Sequence, residues 1–209
     1  AVLSEKGEPA AALELAQRSR ELRGAAWGED HPLVGLPSTW ESMILAKLGR
    51  YDEARKINDE MKDIVAKTFG ADHPKYAQVL YNQGNLHLES GQFDAAQAAL
   101  EESLAIRRKA LGERHPQVAE TLREMSKIDN QQGRFGDAIE KLELAVSILE
   151  EVYGPEHPRL SYGLGDLSAN YRFMGKLDEA LKHRPVLDLA DTQQIGSEAI
   201  VEPRDDGRQ

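Results

Sequence analysis

The chain has 209 residues, a formal net charge of −10 and no cysteine. An acidic balance excludes nucleic-acid backbone as the main partner, because phosphate binding needs a basic stripe, and the missing cysteines exclude a disulfide frame and thiol chemistry. No apolar run approaches a membrane span and no signal-peptide pattern opens the chain, so a soluble, cytoplasmic protein is expected.

Two markers recur with one step. His-Pro stands at His31-Pro32, His73-Pro74, His115-Pro116 and His157-Pro158, each 42 residues after the last. Gly7, Gly49, Gly91, Gly133 and Gly175 keep the same step, each followed five residues later by Ala12, Ala54, Ala96, Ala138 and Ala180. Repeats of this length cannot bury their apolar faces alone, so they stack into an elongated solenoid that presents a surface. The chain opens in mid-repeat, as a fragment of a longer protein would.

The first expected element is a helix over about residues 8–26, closed by Trp27-Gly28. Gly35 and Pro37 then interrupt the next helix, which is expected to restart at Ser38 in a capping box with Glu41, and Trp40 is expected to pack into the gap left by the broken turn, the alternative being an exposed anchor for a partner. A turn near Gly49 leads to a helix ending at Phe69-Gly70. The clearest unit runs from His73 to Arg114. Pro74 suits a first helical turn, with Asp72 placed to accept from first-turn amides. Val79, Leu80, Leu86 and Leu88 line one face until Gly91 permits the turn. Phe93, Ala96, Leu100, Leu104 and Leu111 form the stripe of the second helix, and Gly112 suits a left-handed C-cap. Further hairpins turn near Gly133 and Gly175, the former closing at Tyr153-Gly154. Pro185 falls inside what would be the last helix and is expected to end the array. The domain reading is a repeat array over 1–185, followed by a C-terminal cap or tail over 186–209, in which Leu187, Leu189 and Ile195 are available to cover the open end.

The spacing of Gly91, Phe93 and Ala96 resembles the tetratricopeptide repeat, and the 42-residue unit with His-Pro and Ser103-Leu104-Ala105-Ile106-Arg107 is similar to the repeats of kinesin light chains. The resemblance covers residues 1 to about 184. It implies an all-α fold, a right-handed solenoid of antiparallel helical hairpins, with peptides bound along a concave groove of first helices. It also implies paired asparagines eight and nine residues after each His-Pro histidine. Those places hold Thr39-Trp40, Tyr81-Asn82, Arg123-Glu124 and Gly165-Asp166, so Asn82 is the position that matches.

The candidate site lies on first helices, on the side away from Leu80 and Leu122. There Tyr81 and Asn85, and Arg123 and Lys127, are i,i+4 neighbours. Stacking these pairs would give an aromatic and amide patch beside two positive charges, a floor for an extended protein or peptide ligand, including an acidic one. The alternative is that Arg123 and Lys127 pair with Glu120 and Glu124 on a solvated helix. His87 and Asp129 occupy equivalent places and are expected to meet in a structural hydrogen bond. The four repeated histidines read as helix caps rather than metal ligands, because tetrahedral zinc needs ligands within ~2 Å while stacked repeats stand about two helix widths apart. No cofactor motif or catalytic constellation is present, so an interaction scaffold is expected rather than an enzyme. The alternative is a regulatory or sensor region of a larger signalling ATPase, which a phosphate-binding glycine loop upstream would reveal.

Overall fold

The computed structural model describes residues 9–28 and 35–183, and every regular element among them is an α-helix. In chain order these are α1 (Pro9–Trp27), α2 (Gly35–Lys47), α3 (Tyr51–Phe69), α4 (Pro74–Glu89), α5 (Phe93–Leu111), α6 (Pro116–Gln131), α7 (Phe135–Tyr153), α8 (Leu160–Phe173) and α9 (Leu177–Lys182). Each packs on its neighbours in sequence, and α4 also touches the first helices on either side, α2 and α6. The result is a stack of hairpins, α2/α3, α4/α5, α6/α7 and α8/α9, with α1 packed on α2. His31, Pro185 and the segment 186–209 lie outside the described residues.

The His-Pro histidines cap helices with their own rings. His73 Nδ1 accepts from the Lys75 N–H at 3.1 Å, and His115 and His157 accept from Gln117 and Arg159, each at 3.2 Å. Asp72 does not take the expected capping role. It pairs with Lys109 Nζ at 3.0 Å, across to the second helix of its unit. The aromatic residue that closes the preceding helix stacks on the capping ring, Phe69 on His73 at 5.0 Å and Tyr153 on His157 at 4.7 Å between centroids. Gly112 has the positive φ expected of it, +91°, but ψ is 157°, outside the left-handed helical region and in one open essentially to glycine alone.

The interrupted helix is more regular than its sequence implies. α2 begins at Gly35, three residues before the expected restart, because Pro37 falls in the first turn, where no helical hydrogen bond is lost. Ser38 is therefore inside the helix and buried rather than at its N-cap, and the buried Glu41 carboxylate pairs with Arg20 of α1 at 2.9 Å. An ion pair between helices stands where the capping box was expected.

Small residues set the helix crossings. Ala12, Ala54, Ala96, Ala138 and Ala180 are all buried, and Ser42 and Ser168 donate to the carbonyls of Ala54 and Ala180 at 3.2 and 2.9 Å. Two helices approach to ~8–10 Å only where such side chains meet. Ala138→Leu is expected to overpack the α6/α7 crossing and cost ~1–3 kcal/mol, seen as a lower urea midpoint with an unchanged slope.

Candidate functional site

α2 and α4 stand side by side over α3, and the gap between them is a pocket of about 400 Å3. Tyr81, Asn82 and Asn85 line it from α4, together with Gln78 and Glu89; Trp40, Met43 and Lys47 line it from α2, and Asn58 contributes from α3. Leu80 points the other way and is buried, as the helical spacing predicts. Trp40 is not packed away as expected. It is 46% exposed and Met43 47%, because the helix runs regularly from Gly35 and leaves no broken turn to fill. Trp40 lies 42 positions before Asn82, so the two face the same groove in successive units.

The pocket is tied to a buried cation. Arg107 of α5 donates from Nη1 to the Gln117 carbonyl at 2.8 Å and to Thr121 Oγ1 at 2.9 Å, and from Nη2 to Gln78 Oε1 at 2.7 Å. Its guanidinium lies 4.6 Å from the centroid of the Tyr81 ring. Burial holds the Arg107 pKa below its ordinary value, against the raising effect of Glu120 and of Tyr81. The Tyr81 hydroxyl is pushed up to about 12, chiefly by burial and next by the charge of Glu124, while a hydrogen bond with Asn85 opposes the rise. Glu89 at the pocket edge is also raised, first by burial, with Lys127 and Lys47 opposing and Glu124 adding to it.

The two candidate cations lie apart from this amide cluster and are engaged. Arg123 Nε donates to Asp166 Oδ2 at 2.7 Å, with its guanidinium 5.2 Å from the centroid of the Tyr162 ring. Lys127 Nζ binds both Glu124 oxygens, at 2.8 and 2.7 Å. Of the expected pairings, Lys127 with Glu124 is present and Arg123 Nη1 also lies 3.8 Å from Glu124 Oε1, while its closer ion pair, at 2.7 Å, reaches forward to Asp166 of α8. Arg123 lines a second pocket of about 380 Å3, between α6 and α8 over Ala145, Val146 and Leu149 of α7. The expected meeting of His87 with Asp129 does not occur. His87 Nδ1 pairs with Gln92 Oε1 at 2.8 Å, and the buried Asp129 takes Arg134 and Lys141 at 2.5 and 2.7 Å, because each side chain turns to the helix that follows its own.

Gln78 and Arg107 were missed in the sequence, and of the two readings of Trp40 the exposed one holds. A sign of Arg107 was present, since the residues 42 positions before and after it, Val65 and Leu149, are apolar. Among the described residues no group of three or more potential metal ligands gathers, and no helix is long and apolar enough to cross a membrane.

The tetratricopeptide repeat family model matches residues 40–109, 89–151 and 117–183. The chain belongs to the tetratricopeptide repeat family. No curated protein matches it in sequence. Among solved structures, this tetratricopeptide array is similar to a Podosopora anserina protein described as a kinesin light chain with nearly identical TPR-like repeats (22% identity, TM-score 0.67, 94% of this chain and 92% of that one). It is also similar to BtubC (BKLC) from P. vanneervenii (17%, TM-score 0.71, 99% and 82%). A third is MamA from Desulfovibrio magneticus RS-1 (17%, TM-score 0.55, 95% and 91%). At these identities the likeness is one of fold.

Proposed function

We propose that this array is a binding module without chemistry of its own, and that it holds an extended segment of a partner protein in the groove between α2 and α4. The observation that carries the reading is the convergence of Tyr81, Asn82 and Asn85 with two exposed apolar side chains, Trp40 and Met43, on one pocket. A peptide main chain needs hydrogen-bonding groups at close spacing, and its side chains need an apolar anchor beside them. Arg123 and Lys127 extend the surface towards α8. Their charges are already met by Asp166 and Glu124, so an acidic partner exchanges carboxylates there, which favours selectivity over affinity.

A peptide selected from a random displayed library on the intact protein tests the reading. Trp40→Ala is expected to weaken that peptide by ~2 kcal/mol or more, as loss of a central aromatic anchor does, and Asn82→Ala by ~1–3 kcal/mol. Both are measured by calorimetry, with circular dichroism unchanged. A selected peptide indifferent to both substitutions would place the binding surface elsewhere.

A further inference from the structure

Each gap between successive first helices has a second helix as its floor, and three residue pairs, 42 positions apart, decide how it is filled. Between α2 and α4 the pair is Val65 and Val79, buried in one apolar cluster. Between α4 and α6 it is Arg107 and Thr121, joined by a hydrogen bond of 2.9 Å. Between α6 and α8 it is Leu149 and Gly163, and there the pocket of about 380 Å3 stays open. A Cβ at Gly163 would stand 2.9 Å from Val146 Cγ2, so α8 rests closely on α7 and offers bare backbone as that wall.

The middle gap shows what this space accepts. Arg107 lies in it fully buried, on neutral acceptors alone: the Gln117 carbonyl, Thr121 Oγ1 and Gln78 Oε1. One unit later Glu120 stands in place of Gln78, so a carboxylate replaces an amide at the rim of the open pocket. The two rim arginines are engaged, Arg123 by Asp166 at 2.7 Å and Arg159 by the Tyr153 hydroxyl at 2.9 Å. Among the described residues Glu120 makes no ion pair or hydrogen bond, and its charge reaches Arg107, on the other side of α6, only beyond ion-pairing distance.

We infer that the pocket between α6 and α8 receives an arginine side chain of a partner, its guanidinium on Glu120 and its methylene stem on Val146 and Leu149. The partner thereby supplies from outside what Arg107 supplies in the gap before. A guanidinium meets a carboxylate with paired donors, and its stem covers apolar surface on the way in. An apolar side chain would fill the floor but strip water from Glu120 without giving it a partner. The net charge of −10 draws a cation towards this surface before contact. The inference goes beyond the groove reading, because the pocket lies between other helices and takes a single side chain, whatever main chain carries it.

Heteronuclear NMR on the intact protein tests this with single-residue probes, the N-acetyl methylamides of arginine, citrulline and leucine. Citrulline has the shape of arginine without its charge. The arginine probe is expected to shift the Val146 and Leu149 methyl signals saturably, with citrulline and leucine at least about tenfold weaker, and added salt to weaken arginine alone. Glu120→Gln changes an exposed side chain and keeps the fold. It is expected to weaken the arginine probe by about tenfold and to leave leucine unchanged. If the substitution acted instead through Arg107 and the shape of the gap, all the probes would weaken together, and the assignment to Glu120 would fall. Arginine indifferent to Glu120→Gln would sink it as well. Leucine binding as tightly as arginine would overturn the inference in favour of an apolar guest, and methyl signals that no probe moves would overturn it outright. The groove between α2 and α4 is judged separately, by the Trp40 and Asn82 variants.

Discussion

Leu142→Ala is expected to lower stability by ~2–5 kcal/mol, the range for deleting a fully buried leucine in a core that relaxes only partly. Leu142 is 0% exposed and lies in the largest apolar cluster, with Leu100, Val118, Leu122 and Ile128 before it and Ile148, Leu160 and Leu167 after it. That cluster joins three successive units. A unit in a solenoid is held by its neighbours alone, so a cavity in α7 weakens both interfaces of the α6/α7 hairpin together. Urea unfolding followed by circular dichroism should therefore show a transition that is broader as well as earlier, and hydrogen exchange in α6 to α8 should accelerate most. Leu181→Ala provides the contrast. At 66% exposure on the last helix it is expected to change stability by less than ~0.5 kcal/mol.

Alkaline pH should unfold the protein through two tyrosines. Tyr171 donates its hydroxyl proton to Glu143 Oε1 at 2.6 Å, which with burial and the charges of Glu143 and Glu179 raises its pKa to about 12. Tyr81 reaches about 12 chiefly through burial. In the unfolded chain both titrate near ~10. Below that pH each is protonated in both states and its contribution is complete. As pH rises towards 12 the unfolded chain loses these protons first, so stability falls through this window, by roughly 2–3 kcal/mol per tyrosine at its upper end. Urea midpoints at pH 9 and pH 11.5, with phenolate absorbance recorded alongside, measure the drop. Tyr171→Phe should remove about half of it.

The frame of this protein was legible because one marker is written five times over and the other four. Alanine five residues after glycine, and histidine before proline, recur at one step, and repetition separates a structural requirement from chance. Where a unit departs from its siblings that help disappears. Pro37 suggested a broken helix; only the fold shows that it falls within a first turn. Arg123 was recognisable as a groove residue, but its partner Asp166 is on α8, and no spacing within one helix predicts an ion pair across two units. Asn82 could be found by position, and Tyr81 and Asn85 by helical spacing. The network behind them required knowing that a side chain from α5 passes between two first helices.

Arg107 also joins two kinds of change that the fold otherwise keeps separate. Trp40 and Met43 face the groove and contribute little to the buried core, so mutation can exchange them without loss of the fold. The capping histidines and crossing alanines tolerate little change, and they lie away from the pocket. Arg107 belongs to both sets: it is sealed between α4 and α6, and its partner Gln78 hydrogen-bonds Asn82 at the pocket wall. A substitution there disturbs the packing of α5 and the hydrogen bonds behind Asn82 at once, so at the α4 to α6 junction the fold and the pocket wall cannot be altered separately.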